Sequence, residues 1–201
     1  MIGIIDYGIN NLGSVKNAVD QLNVDYEVLV KPCDFSSYDL LILPGVGSFD
    51  SGIKALKSCG LFEALSELGS SNKKILGICL GMQLLCSESE EGVEKGLNLI
   101  PAKVKHLSKF GCRGKIPHVG FNDVCTADDS RFLGSMINQD YYFVHSYSVE
   151  TNSENMRLAF TDYEGTKLVG AYRHGNIMGT QFHPEKSGLK GLEVIKRAYL
   201  C

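Results

Sequence analysis

Apolar and polar positions along the first half of the chain alternate between two kinds of segment. "IGII" (2–5), "YEVLV" (26–30), "DLLIL" (39–43) and the run through Ile75, Leu76 and Ile78 are short and nearly continuous in apolar character, the pattern of buried strands. Between the first two, Leu12, Val15, Val19 and Leu22 mark one face of a helix. A second helical region runs from Phe49 to about Leu68, interrupted near Cys59 and Gly60, and Met82, Leu84 and Leu85 open a third directly after the fourth strand. Strands alternating with helices predict a parallel sheet covered on both faces.

The second half is β-rich, with "AKVKHL" (102–107), "YYFVHSYSV" (141–149), "RLAFTDY" (157–163), "LVGAYR" (168–173) and "NIMGTQF" (176–182). The last two strands flank His174-Gly175-Asn176, a hairpin turn in which Gly175 supplies the positive φ. "SGLKGLEVIKRAYL" (187–200) has the spacing of an amphipathic helix with its basic residues late, which suits the helix dipole. No repeat or low-complexity linker divides the sequence. The prediction is a single α/β domain over residues 1–201: a mixed, mostly parallel central sheet flanked by helices, with an antiparallel β-rich second half.

Composition narrows the function classes. The 201 residues carry a formal net charge of −3, which leaves no electrostatic footprint for nucleic acid. The seven cysteines are odd in number and irregularly spaced, with no C-x-x-C pair, which argues against a disulfide framework and a zinc site. "MIGIIDYG" reads as a first strand and not a signal peptide, and no apolar run is long enough to span a bilayer. A reduced, cytoplasmic protein without membrane attachment, metal or cofactor is the expectation. Walker-type and dinucleotide-binding glycine motifs are also missing from the sequence.

Candidate chemistry centres on "GICLG" (77–81), where Cys79 sits at a strand-to-helix junction between Gly77 and Gly81. The glycines allow a sharp turn, by the logic that holds a serine in the G-x-S-x-G elbow. A helix N-terminus also favours the reactive thiolate. A thiol nucleophile needs a base, and the base an orienting partner. His183 follows the strand "IMGTQF", and in an extended segment Glu185 projects to the same side and reaches its imidazole. "LPGVGSF" (43–49) ends another strand, where the amides of Val46 and Gly47, with that of Leu80, are placed to stabilise an oxyanion. All three elements fall at carboxyl ends of strands, where open α/β sheets bind ligands.

"PGVGSF", "GICLGMQLL" and "GTQFHPEKSG" resemble the three signature segments of the class I (triad-type) glutamine amidotransferases. Together with "IIDYG", "NLGSV", "EEGVEKGLNLIPAKV", "KIPHVGFN" and "YYFVHSY", they resemble most the glutaminase subunits of imidazole glycerol phosphate synthase, from Met1 to Leu200. The resemblance implies hydrolysis of glutamine to glutamate and ammonia. It also implies a heterodimer in which the ammonia is channelled to a (β/α)8-barrel cyclase of histidine biosynthesis. It makes Cys79 the nucleophile, His183 the base and acid, and Glu185 its orienter, with oxyanion amides at Val46, Gly47 and Leu80. Gln83, His145, Ser146 and Tyr147 become substrate-binding positions, and Asn11, Phe121 (on a loop) and Tyr142 face the cyclase. The sequence departs from the family pattern at Asn10, where glycine is usual, and at Phe121, where tryptophan is. These departures keep open an ammonia supply for amination of a surface-polysaccharide sugar. A non-catalytic, redox-sensing relative and a thiol peptidase are the readings from other classes.

Overall fold

A computed structural model describes residues 1–126, 134 and 137–200. In chain order the elements are β1 (Ile2–Ile5), α1 (Leu12–Gln21), β2 (Tyr26–Leu29), β3 (Leu40–Gly45), α2 (Phe49–Ser58), α3 (Leu61–Ser66), β4 (Ile75–Cys79), α4 (Leu80–Leu84), β5 (Glu88–Ser89) and β6 (Lys103–His106). They continue with β7 (His118–Thr126), β8 (Gln139–His145), β9 (Tyr147–Glu150), β10 (Arg157–Tyr163), β11 (Thr166–His174), β12 (Ile177–Thr180) and α5 (Gly188–Leu200). Among the described residues, nine strands form one sheet in the order β2-β1-β3-β4-β12-β11-β10-β7-β8, and β5, β6 and β9 form a second, small one. From β2 to β12 the neighbours are parallel; from β12 to β8 they are antiparallel.

The apolar runs are continuous because both faces of the parallel half are covered. In β3, Leu40 and Ile42 pack with Val15 and Val19 of α1 and Val194 and Ile195 of α5. Leu41 and Leu43 point the other way, into a core built with Phe49, Ile53 and Leu56 of α2, Leu61 and Leu65 of α3, and Leu80 and Leu84 of α4. The interruption near Cys59 is the turn between α2 and α3, where Gly60 takes φ +74°. The hairpin between β11 and β12 turns at Gly175, φ +57°, with His174 opposite Ile177.

Two segments differ from the sequence expectation. The stretch 141–149 is not one strand: it breaks at Ser146, leaving β8 in the large sheet and β9 in the small one. The ring of His145 binds the carbonyl of Tyr147 across that break, Nδ1 to O 2.8 Å. Phe121 is not on a loop but in the middle of β7, opposite Tyr142 of β8. The strand is hard to see in the sequence because Gly120, Asn122 and Asp123 carry little β propensity.

Candidate active site

β4 ends at Cys79, whose backbone takes φ 52° and ψ −107°, a region closed to unstrained non-glycine residues. The glycines on either side permit this turn. A Cβ on Gly81 would lie 1.8 Å from the Leu43 carbonyl oxygen, and one on Gly77 would lie 2.8 Å from the Met82 backbone nitrogen. α4 therefore packs directly on β3 and β4 only because both positions lack side chains. Leu80 opens that helix, so its amide has no intrahelical acceptor.

β12 runs beside β4, with Thr180 opposite Ile78, which carries the following residues to the same sheet end as Cys79. The side chains of His183 and Glu185 are both buried, and His183 Nδ1 lies 2.7 Å from Glu185 Oε1. The reach is made by a single 3-10 turn over Pro184–Lys186, not by an extended segment, and Ser187 Oγ donates to the His183 carbonyl at 2.6 Å to close it. A carboxylate only accepts, so Nδ1 carries the proton and Nε2 is left for chemistry. Among the described residues, Nε2 has no hydrogen-bond partner in this resting arrangement. Burial works against a charged ring, yet the Cys79 and Glu185 side chains outweigh it and lift the His183 pKa to about 10. Contacts of this kind tighten when substrate binds.

The strand β3 delivers Val46 and Gly47 to the same place. Its exit is gripped from below: Tyr7 Oη donates to the Pro44 carbonyl at 2.8 Å, and a Cβ on Gly45 would lie 2.3 Å from that hydroxyl. Val46 N–H donates to the Ile9 carbonyl at 3.4 Å, so this amide is engaged elsewhere and not free for an oxyanion. Gly47 has φ +97°.

A cavity of about 300 Å³ lies over these groups. Cys79, His183, Val46, Gly47 and Leu80 line it, as do Gln83, His145, Ser146 and Tyr147. Asn11, Phe121 and Tyr142 do not. Asn11 occupies the N-cap position of α1 without a side-chain capping bond, close in sequence to Ile9. Phe121 and Tyr142 pair edge to face at 5.5 Å on the outer surface of β7 and β8, and Val144, two residues on from Tyr142, reaches the cavity.

Three lining or supporting groups escaped the sequence reading. Glu91 lines the cavity, and its Oε2 accepts from the Phe49 amide at the start of α2 at 2.7 Å. Its acidic neighbourhood, "SESEEG" (87–92), looks like a solvated surface run; burial raises its pKa. Gln181, wholly buried, donates from Nε2 to Cys79 Sγ at 3.8 Å. His118 lies 3.0 Å from His145, Nδ1 to Nε2, with its ring stacked on Phe143 and Tyr163. Burial holds both imidazoles neutral, His118 at about 4 and His145 at about 3. Among the described residues, no group of three or more histidine, cysteine or acidic side chains could hold a metal, and no helix is long and apolar enough to cross a membrane.

A buried thiol on a strained elbow, an imidazole oriented by a carboxylate and nearby strand-end amides can carry out acyl transfer. The model of the family described as "Glutamine amidotransferase class-I" matches residues 3–200. The chain belongs to that family. It is an amidotransferase enzyme of the α/β fold read from the sequence. Its relatives include proteins named imidazole glycerol phosphate synthase subunit HisH. The one from Carboxydothermus hydrogenoformans is 44% identical, with 98% of this chain and 97% of the relative covered. The one from Leptospira interrogans is 40% identical, with 98% of each covered. Solved structures share the fold at lower identity. A crystal structure described as a glutamine amidotransferase has TM-score 0.75 at 17% identity, covering 98% of both chains. A glutamine amidotransferase from Thermotoga maritima has TM-score 0.66 at 20%, covering 98% of this chain and 81% of that one.

Proposed function

We propose that this protein is the glutaminase subunit of imidazole glycerol phosphate synthase, folded as a single domain and acting in the cytoplasm beside a (β/α)8-barrel cyclase. The observation that carries the reading is the meeting of Cys79 and His183 in one cavity, with Glu185 bonded to the far side of the His183 ring, in a chain 44% identical to a subunit of that name.

The chemistry proceeds as acyl transfer. The Cys79 proton moves to His183 Nε2, and the thiolate attacks the γ-carboxamide carbon of glutamine, forming the C–S bond. The carbonyl electron pair moves onto oxygen, which the amides of Leu80 and Gly47 receive, while the Val46 amide stays bonded to the Ile9 carbonyl. Collapse of that intermediate breaks the C–N bond, and the leaving nitrogen takes the His183 proton and departs as ammonia. Water then attacks the thioester carbon with His183 accepting its proton, and glutamate leaves as the thiolate is restored. Glu185 keeps the imidazole in the required tautomer. Glu91 is the carboxylate suited to the α-ammonium of glutamine, and Gln83 with the His145–Tyr147 segment shapes the remaining wall.

The sequence contains nothing that would activate an acceptor for the ammonia, which is why a second protein is required. Asn11, Phe121 and Tyr142 are the residues proposed to meet it. The test is ammonia release from glutamine by the chain alone and with the cyclase and its nucleotide ligand. A large rate increase only with the liganded cyclase is expected. Stimulation by a sugar-aminating enzyme and none by a cyclase would transfer the function to polysaccharide modification.

A further inference from the structure

Gln181 plays no part in the acyl-transfer scheme above, yet its side-chain amide is aimed at the reacting sulfur. The orientation of that amide follows from its neighbours. A backbone carbonyl only accepts, and the Tyr147 carbonyl receives both His145 Nδ1–H at 2.8 Å and Gln83 Nε2–H at 3.3 Å. Gln83 therefore presents its NH2 group on this side, and the same nitrogen donates to Gln181 Oε1 at 3.0 Å. With its oxygen taken, Gln181 must turn its own NH2 towards Cys79 Sγ, 3.8 Å away.

The chain extends one step further back. Because His145 spends its proton on Tyr147, its Nε2 is an acceptor, and His118 Nδ1, 3.0 Å away, must be the donor. A buried series of polar groups thus runs from His118 on β7 through His145, the Tyr147 carbonyl, Gln83 and Gln181 to the thiol. Every link has one donor and one acceptor, and each participant is buried except the half-buried Tyr147.

The sulfur has two kinds of contact within this frame. As a thiol it donates S–H to the Val144 carbonyl at 3.9 Å, a contact that a thiolate cannot make. The Gln181 N–H donor favours the opposite state, because hydrogen bonds to an anion are stronger than those to a neutral sulfur. Two ionisable side chains also neighbour Cys79: His183 and Tyr7.

We propose that Gln181 is a further catalytic residue, stabilising the Cys79 thiolate through an N–H···S bond, and that Gln83 is the positioning residue that aims it. The proposal rests on Cys79 being the nucleophile of the proposed reaction. It assigns Gln83 a role that does not require contact with glutamine.

The experiment is alkylation of Cys79 by iodoacetamide, followed by peptide mass spectrometry from about pH 5 to pH 10, on the full chain and the variants Gln181→Met and Gln83→Met. Methionine keeps the length of the side chain and removes the donor. Alkylation needs no glutamine turnover, so its outcome is separate from whether the protein is a glutaminase. On the rising limb of the rate curve, at or below pH 7, the Gln181→Met rate is expected to fall about tenfold, in the range for a lost bond to a charged group. The Gln83→Met rate falls less, and both recover the wild-type rate at the alkaline plateau. Should Gln181→Met fail to fold, Gln83→Met carries the test alone by the same pattern. Equal rates at pH 7 would overturn the proposal. A rate depressed at every pH would also overturn it, since that is loss of access and not of thiolate.

Discussion

The amide of Val46 donates to the carbonyl of Ile9, 3.4 Å away, across the exits of β3 and β1. This bond joins the strand end proposed to hold the oxyanion to the segment that leads into Asn11, on the proposed partner side. A peptide flip between Val46 and Gly47, changing ψ at Val46 and φ at Gly47, would leave that bond in place and reverse the direction of the Gly47 N–H, the other amide of this strand end. The resting form holds Gly47 at φ +97°, where alanine is strained, while a Cβ there would meet nothing closer than Ile9 Cγ2 at 3.6 Å.

Gly47→Ala should therefore disfavour the resting form through backbone strain alone, by roughly 1–3 kcal/mol. Hydrolysis of glutamine by the chain without a partner is expected to rise about fivefold or more. The additional stimulation by the liganded cyclase should shrink correspondingly. The check is steady-state kinetics of both forms, where the wild-type partner effect should appear in kcat more than in KM. A variant slower than wild type alone would mean that the resting backbone is already the active one.

Stability should fall on both sides of neutrality. His118 and His145 are held near 4 and 3 against an ordinary 6.5, because burial excludes their charged forms. The unfolded chain therefore binds more protons below about pH 6.5, and stability drops as pH falls towards those values. His183 runs the other way. Its pKa is raised to about 10, so its contribution is complete below about pH 6.5 and is lost as pH rises towards 10. Melting temperature measured from about pH 4 to 10 should show both limbs. His118→Gln should flatten the acid limb, and Cys79→Ala, which removes one of the groups lifting His183, should flatten the alkaline one.

Phe121 stands 64% exposed, edge to face with Tyr142 at 5.5 Å. A rigid strand presents it, which suits an anchor better than a loop would. Phe121→Ala should weaken the complex with the native cyclase by roughly 1–3 kcal/mol, the range of an interface anchor. Phe121→Trp restores an indole N–H and should bind better to a cyclase whose own partner carries tryptophan there. Titration calorimetry with both cyclases measures this, and unchanged affinity in both variants would make Phe121 ordinary surface.

The legible parts of this protein were those with a strong local signal. The strands ending at Gly45 and Cys79 are continuous apolar runs, since helices cover both their faces, and the glycines at 77 and 81 mark a turn that no other residue permits. β7 was hidden because it is exposed on one side and interrupted by Gly120. Glu91 was hidden in an acidic run. Its place in the cavity depends on Asp50, which accepts the amides of Val93 and Glu94 and pins the loop to α2. Gln181 has no sequence signal beyond its place in the "GTQFHPE" segment, because its role lies in contacts with Gln83 and Cys79, about a hundred positions away.

The proposed roles of the three site residues predict graded losses. Cys79→Ala should abolish glutamine hydrolysis. His183→Ala should lower kcat by about three orders of magnitude, within the range of general acid–base catalysis. Glu185→Gln should lose less than His183→Ala, because an orienting group is partly replaceable.

The most direct measurement is covalent trapping. The protein, with its cyclase and nucleotide ligand, is treated with a glutamine-mimicking electrophile reactive at the γ-carbon and digested, and its cysteine peptides are weighed. Modification of Cys79 alone, suppressed by excess glutamine and lost in His183→Ala, is the expected result. Modification of Cys33 or Cys112 with Cys79 untouched would contradict the account.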